Sequence, residues 1–95
     1  MRRLLHEELS KYFSRVVSEE QGPYVFFLVS GRDAEYVICV RKAEEYLYGK
    51  VVKADKVSGF NCREIEYEPH GLYVFAKEPG GLAEKILLKL GQYNL

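Results

Sequence analysis

His70 stands between Pro69 and Gly71, with Tyr67, Tyr73 and Lys77 close by in the chain. A histidine, a lysine and a phenol together could move protons at a phosphodiester, the chemistry of an enzyme of nucleic-acid or nucleotide metabolism using His70 and Lys77. A single loop histidine more often serves as plain polar surface, and His6 falls on the polar side of a helical pattern. No catalytic residue is therefore assigned.

A second candidate is the turn Lys77-Glu78-Pro79-Gly80-Gly81, whose glycines fall where a helix begins. Free amides at a helix N-terminus can hold a phosphate or carboxylate, so Lys77, Gly80 and Gly81 are the candidate anion-binding residues. The turn is also what a tight strand-to-helix connection looks like. It lacks the length and the terminal Lys-Ser/Thr of a phosphate loop, and Glu78 would repel an anion.

The third candidate is broader. Arg41, Lys42, Lys50, Lys53, Lys56 and Arg63 outnumber Glu44, Glu45 and Asp55 over residues 41–63, and Tyr46, Tyr48 and Phe60 lie among them. Bases stack on rings and phosphates meet cations, so Arg41, Lys42, Tyr46, Tyr48, Lys50, Lys53, Lys56 and Arg63 form the candidate RNA-binding set. The same lysines on an exposed strand would serve as a solvated edge that discourages sheet-to-sheet association. Residues 64–84 reverse the sign, with five glutamates against Lys77. Eight tyrosines add a further surface property, because a phenol ring suits interfaces and half-buried strand positions alike.

His6, Cys39, Cys62 and His70 show none of the short spacings of a metal site, so neither metal nor cofactor is expected. Two cysteines without a C-x-x-C pattern imply a reduced, intracellular chain. In that reading Cys39 is a small buried hydrophobe and Cys62 an unreactive strand-end residue.

These residues must be positioned by a single domain covering residues 1–95. With 47% hydrophobic and 29% charged residues the composition is that of a folded globular chain, and its length buries ~60–65% of the unfolded surface. The formal charge is zero, which argues against holding nucleic acid by bulk electrostatics. No apolar run approaches a membrane span and no apolar segment follows the charged start, so the expected location is the cytoplasm, with no membrane partner.

Leu5, Leu9, Tyr12, Phe13 and Val16 share one helical face, predicting a first helix that runs to Ser18 and ends at Gln21-Gly22-Pro23. Residues 24–29 and 35–40 read as a β-hairpin across Ser30-Gly31-Arg32-Asp33. A helical turn over 42–48, where Tyr46-Leu47-Tyr48 could equally extend a strand, a polar-edged strand over 50–57 and an alternating strand over 62–68 follow. Pro69-His70-Gly71 then turns the chain into a strand over 72–76. The last helix carries Leu82, Ala83, Ile86, Leu87 and Leu90 on one stripe, with Gly91 as its stop. The expected fold class is α+β, a two-layer sandwich with an antiparallel sheet of four to five strands and the N- and C-terminal helices packed on it.

The opening Met1-Arg2-Arg3-Leu4 with Glu7-Glu8, then Gly22-Pro23-Tyr24-Val25-Phe26 and its hairpin, resembles the N-terminal pre-PUA domain of a ribosome-biogenesis family shared by archaea and eukaryotes. That family joins such a domain to an RNA-binding PUA domain and acts in large-subunit rRNA maturation. The resemblance covers mainly residues 1–40. With no PUA domain in these 95 residues, it transfers no functional residue and implies only an RNA-associated or protein-interaction role. The reading is a small non-enzymatic interaction module, RNA-associated through the basic segment 41–63, whose partners are another protein or a second copy, and RNA; the alternatives are the enzyme using His70 and Lys77 and a homo-oligomeric structural protein.

Overall fold

The run Tyr24-Val25-Phe26-Phe27-Leu28-Val29 has no polar alternation, and such a strand needs apolar cover on both faces. In the computed structural model, which describes residues 1–93, it finds that cover inside a five-stranded antiparallel sheet. The strands are β1 (Arg15–Gln21), β2 (Tyr24–Ser30), β3 (Glu35–Ala43), β4 (Tyr46–Lys53) and β5 (Leu72–Ala76), each paired with the next in chain order. Helix α1 (Arg2–Leu9) precedes the sheet, α2 (Cys62–Ile65) interrupts it between β4 and β5, and α3 (Pro79–Tyr93) follows it. Pro79 occupies the first helical position, where a missing N–H costs nothing.

Side chains alternate across each strand, so the sheet has two distinct faces. One holds Val25, Phe27, Val29, Ile38, Val40, Leu47, Val51 and Val74 beneath Leu5 and Leu9 of α1 and Leu82, Ala83 and Ile86 of α3. The other holds Tyr24, Phe26, Val37, Cys39 and Val52 beneath Cys62 and Ile65 of α2. Residues 54–71 therefore form a flap over part of the second face. Burying Ile65 alone favours its docking by ~1.5–3 kcal/mol.

Gly71 lets the flap return to the sheet. Its φ is +125°, and a Cβ there would lie 2.6 Å from the Val51 carbonyl oxygen and 2.8 Å from Val52 Cγ2. Only glycine fits that approach.

Several local expectations are corrected. The first helix ends at Leu9, and residues 15–21 form β1, because β-branched Val16 and Val17 pair across β2 at Val29 and Leu28. The apolar period still reaches the core, but Phe13 does so from a loop and Val16 from a strand. Residues 42–48 hold a hairpin, with Ala43 paired to Tyr46 and Glu44 at φ +57° in a two-residue turn. The strand expected over 50–57 is the interior β4, which gives way to a 3-10 turn at Ala54–Lys56.

Residues 62–68 begin as a helical turn, not a strand. Asn61 caps it by accepting the Arg63 amide at 3.0 Å, and Cys62 and Ile65, three apart, face the core together. Helix α3 also runs through Gly91. Most consequentially, Cys39 and Cys62 are joined in a disulfide with Cα atoms 5.6 Å apart, so the expectation of two free thiols fails. Twenty-three positions separate them in sequence, and only the docking of α2 on β3 brings them together.

Candidate functional site

Alternation on β3, β4 and β5 sends Arg41, Tyr48, Lys50, Tyr73 and Phe75 to the flap side of the sheet. Register then sets Arg41 beside Tyr48, Tyr48 beside Phe75, and Lys50 beside Tyr73. Tyr46 joins the same side opposite Ala43. The flap covers the half of this face nearest the disulfide. Beyond it Tyr46, Tyr73 and Phe75 stay 45%, 42% and 51% exposed.

Three rings of this strip meet at Tyr48. Tyr48 meets Phe75 edge-on at 5.0 Å between centroids and Tyr73 at 5.6 Å. The Arg41 guanidinium lies 4.9 Å from the Tyr48 centroid, and Lys77 Nζ lies 5.7 Å from that of Tyr46. Both distances are in the range where a cation is drawn to a ring face.

Glu66, just past α2, ties the flap to the strip. Its carboxylate accepts from Tyr24 Oη and from Arg41 Nε, the latter at 3.0 Å. Burial pushes the Glu66 carboxyl up, but the bonds from Tyr24 and Arg41 and the charges of Arg41 and Lys50 outweigh it and leave the group below its ordinary range. Tyr24 is raised in turn, by burial first and then by its bond to Glu66. Burial, followed by the neighbouring Tyr73, pushes Tyr48 up to about 12.

Lys50 is 1% exposed. Its ammonium donates to the Glu68 carbonyl, to Tyr73 Oη at 3.0 Å and weakly to the Glu66 carbonyl, and it lies 4.2 Å from the Tyr73 ring centroid. Tyr73 Oη donates onward to the Glu66 carbonyl at 2.9 Å. Lys50 is thus the internal anchor of the flap, not a surface cation. A charge buried this far persists only where acceptors surround it.

The basic set expected from the sequence therefore divides. Arg41, Tyr46 and Tyr48 converge on the strip, while Lys50 is buried in the flap contact. Lys42 pairs with Leu47 and Lys53 with Tyr36, so alternation turns both to the helix-covered side of the sheet. Lys56 and Arg63 are exposed on the 3-10 turn and α2. Tyr73, Phe75 and Lys77 complete the strip, and Phe75 was not among the sequence candidates. The signal was present: in Leu72-Tyr73-Val74-Phe75-Ala76 the two aromatics occupy alternate positions and must share a face.

The remaining candidates are separated or obstructed. His70 precedes β5 and Lys77 follows it, roughly 20 Å apart by strand rise, so they do not converge on one pocket. At the start of α3, a Cβ on Gly80 would lie 3.3 Å from Glu8 Oε1, which puts a carboxylate of the chain itself beside the amides proposed for an anion. Among the described residues no group of three or more His, Cys, Asp or Glu side chains could hold a metal ion, and no helix is long and apolar enough to cross a membrane. No protein-family model matches the chain, and no curated protein or solved structure matches it either.

Proposed function

We propose that the protein is a small non-enzymatic interaction module that binds single-stranded RNA on the bare half of its sheet. The observation that carries this reading is the strip of Tyr46, Tyr48, Tyr73 and Phe75 with Arg41 and Lys77 at its rings. Flat aromatic faces accept any base, and each base stacked on one contributes ~1–3 kcal/mol. The net charge of zero means that stacking supplies most of the affinity and the two cations position phosphates. The likeness of the opening residues to a pre-PUA domain points in the same direction.

The cytoplasmic setting belongs to this proposal in a particular form. A disulfide persists in an oxidising compartment or inside hyperthermophiles, whose intracellular proteins are disulfide-rich, so a cytoplasmic setting requires the second of these.

The test is fluorescence anisotropy with a labelled single-stranded RNA across a salt series. Two phosphate contacts give a slope of log K against log salt of about −1.4, shallow for a nucleic-acid binder. Phe75→Ala and Tyr46→Ala each weaken binding by ~1–3 kcal/mol, while Lys56→Ala and Arg63→Ala leave it unchanged. Absence of binding at low salt removes RNA from the reading and leaves protein association alone.

A further inference from the structure

The sheet has two edges, and the chain treats them differently. On β5, Lys85 Nζ donates to the Phe75 carbonyl at 2.8 Å and Lys89 Nζ to the Tyr73 carbonyl at 3.2 Å. Lysines of α3 thus close that edge to a further strand.

In an antiparallel ladder the N–H and C=O of one residue turn to the same neighbour, and the direction alternates along the strand. If Tyr73 and Phe75 turn outward, the register carried across all five strands turns Arg15, Val17, Glu19 and Gln21 toward β2 and leaves Val16, Ser18 and Glu20 facing outward. Arg2 agrees with this parity. Its guanidinium reaches from α1 to the Ser18 carbonyl at 2.7 Å and to Ser18 Oγ at 3.1 Å. Among the described residues, no comparable cap covers Val16 or Glu20. Strand β1 also contains neither proline nor lysine, and its register with β2 runs unbroken.

We propose that the β1 edge binds a second copy of this chain, the two β1 strands pairing antiparallel about a two-fold axis at Val17. Outward residues must oppose outward residues, which limits the choice of register. With the axis at Val17, Val16 and Ser18 of one copy exchange backbone bonds with Ser18 and Val16 of the other. Arg15 then stands directly opposite Glu19 of the second copy, twice over. Val17 meets Val17 as a non-hydrogen-bonded pair, the arrangement that brings side chains closest. This accounts for an otherwise unexplained valine that is 42% exposed in the middle of a strand.

Neighbouring registers lack this match. An axis at Glu19 would set glutamate against glutamate, and one at Ser18 would face Arg15 with Gln21 and Val17 with Glu19; like charges directly opposite destabilise a pair. Because β5 is closed by its lysines, the association ends at two copies instead of growing into a fibre. The edge is separate from the aromatic strip, so the proposal stands whether or not RNA binds there.

Arg2 provides a change of opposite sign. In the dimer the Ser18 carbonyl accepts the Val16 amide of the second copy, so the Arg2 guanidinium at that oxygen competes with the incoming strand. Sedimentation equilibrium and light scattering on the full chain test the proposal at rising protein concentration. The expected species is a dimer of the 11.0 kDa chain. Glu19→Arg, which makes both facing pairs repulsive, weakens it about tenfold or more, and the double variant Arg15→Glu with Glu19→Arg restores it. Val17→Lys also weakens the dimer, whereas Arg2→Ala tightens it. Far-ultraviolet circular dichroism checks that each variant is folded, and amide exchange at Val16 and Ser18 slows as the dimer fills. A chain that stays monomeric into the millimolar range overturns the proposal. So does a dimer indifferent to Glu19→Arg and Val17→Lys, or one that the double variant fails to restore.

Discussion

Replacing both cysteines by alanine, Cys39→Ala with Cys62→Ala, removes the covalent tie between β3 and α2. The bond spans 23 positions in sequence, and closing a loop of that length lowers the entropy of the unfolded chain by about 11 cal/mol/K, or about 3.4 kcal/mol at 25 °C. Both cysteines are buried, so the small cavities left by the sulfurs add to the loss. The expected shift in Tm for a chain of this size is about 15–25 °C. Urea unfolding followed by circular dichroism measures the free energy, and reduction of the unaltered chain repeats the experiment without changing core volume. Amide exchange should rise first over residues 54–71, since Cys62 and Ile65 hold that flap on the sheet while β2 and β3 are hydrogen-bonded on both sides. Two titratable thiols in the denatured, unreduced protein would refute the pairing. A demonstrably bonded parent less than about 1 kcal/mol more stable than the variant would refute the energetic argument.

Three further outcomes follow from the same geometry. Gly71→Ala should cost at least about 2 kcal/mol by chemical denaturation, because a Cβ would clash with the Val51 carbonyl oxygen at 2.6 Å and the φ of +125° disfavours any side chain. Glu66 is held below its ordinary range in the folded state, so its contribution is full above the unfolded carboxylate pKa and is lost as pH falls through the lower folded value; Glu66→Gln should flatten the acid limb of a stability–pH profile. Tyr48, pushed up to about 12, contributes stability that is full below the unfolded phenol value and is lost as pH rises through the folded one. Tyrosinate absorbance should therefore show Tyr48 among the late phenols, beside the raised Tyr24, and Tyr73→Ala should bring the Tyr48 phenol back toward an ordinary value by opening its surroundings.

The architecture was legible wherever burial is encoded in local period. The apolar run of β2, the hairpin to β3, the 72–76 strand and the stripe of Leu82, Ala83 and Ile86 all predicted elements that form, and together they specify an α+β sheet under terminal helices. Residues 11–21 misled because Phe13 and Val16 meet the helical period yet reach the core from a loop and a strand. Residues 62–68 misled because alternating glutamates outweighed a helix-start signal, Asn61 with Glu64 three residues on.

The sequence by itself determined which side chains are apolar, which strands need two-sided cover, and that Tyr73 and Phe75 share a face, since these follow from composition and alternation. Only the tertiary structure decided that Lys50 is an internal anchor, that Cys39 bonds Cys62, that Arg41 lies against Tyr48 and Tyr48 against Phe75, and that two lysines of α3 cap one sheet edge while, among the described residues, Arg2 caps the other at Ser18 alone. The reason is physical: each of these contacts joins residues distant in sequence through strand register or flap docking, and register is a property of the assembled sheet.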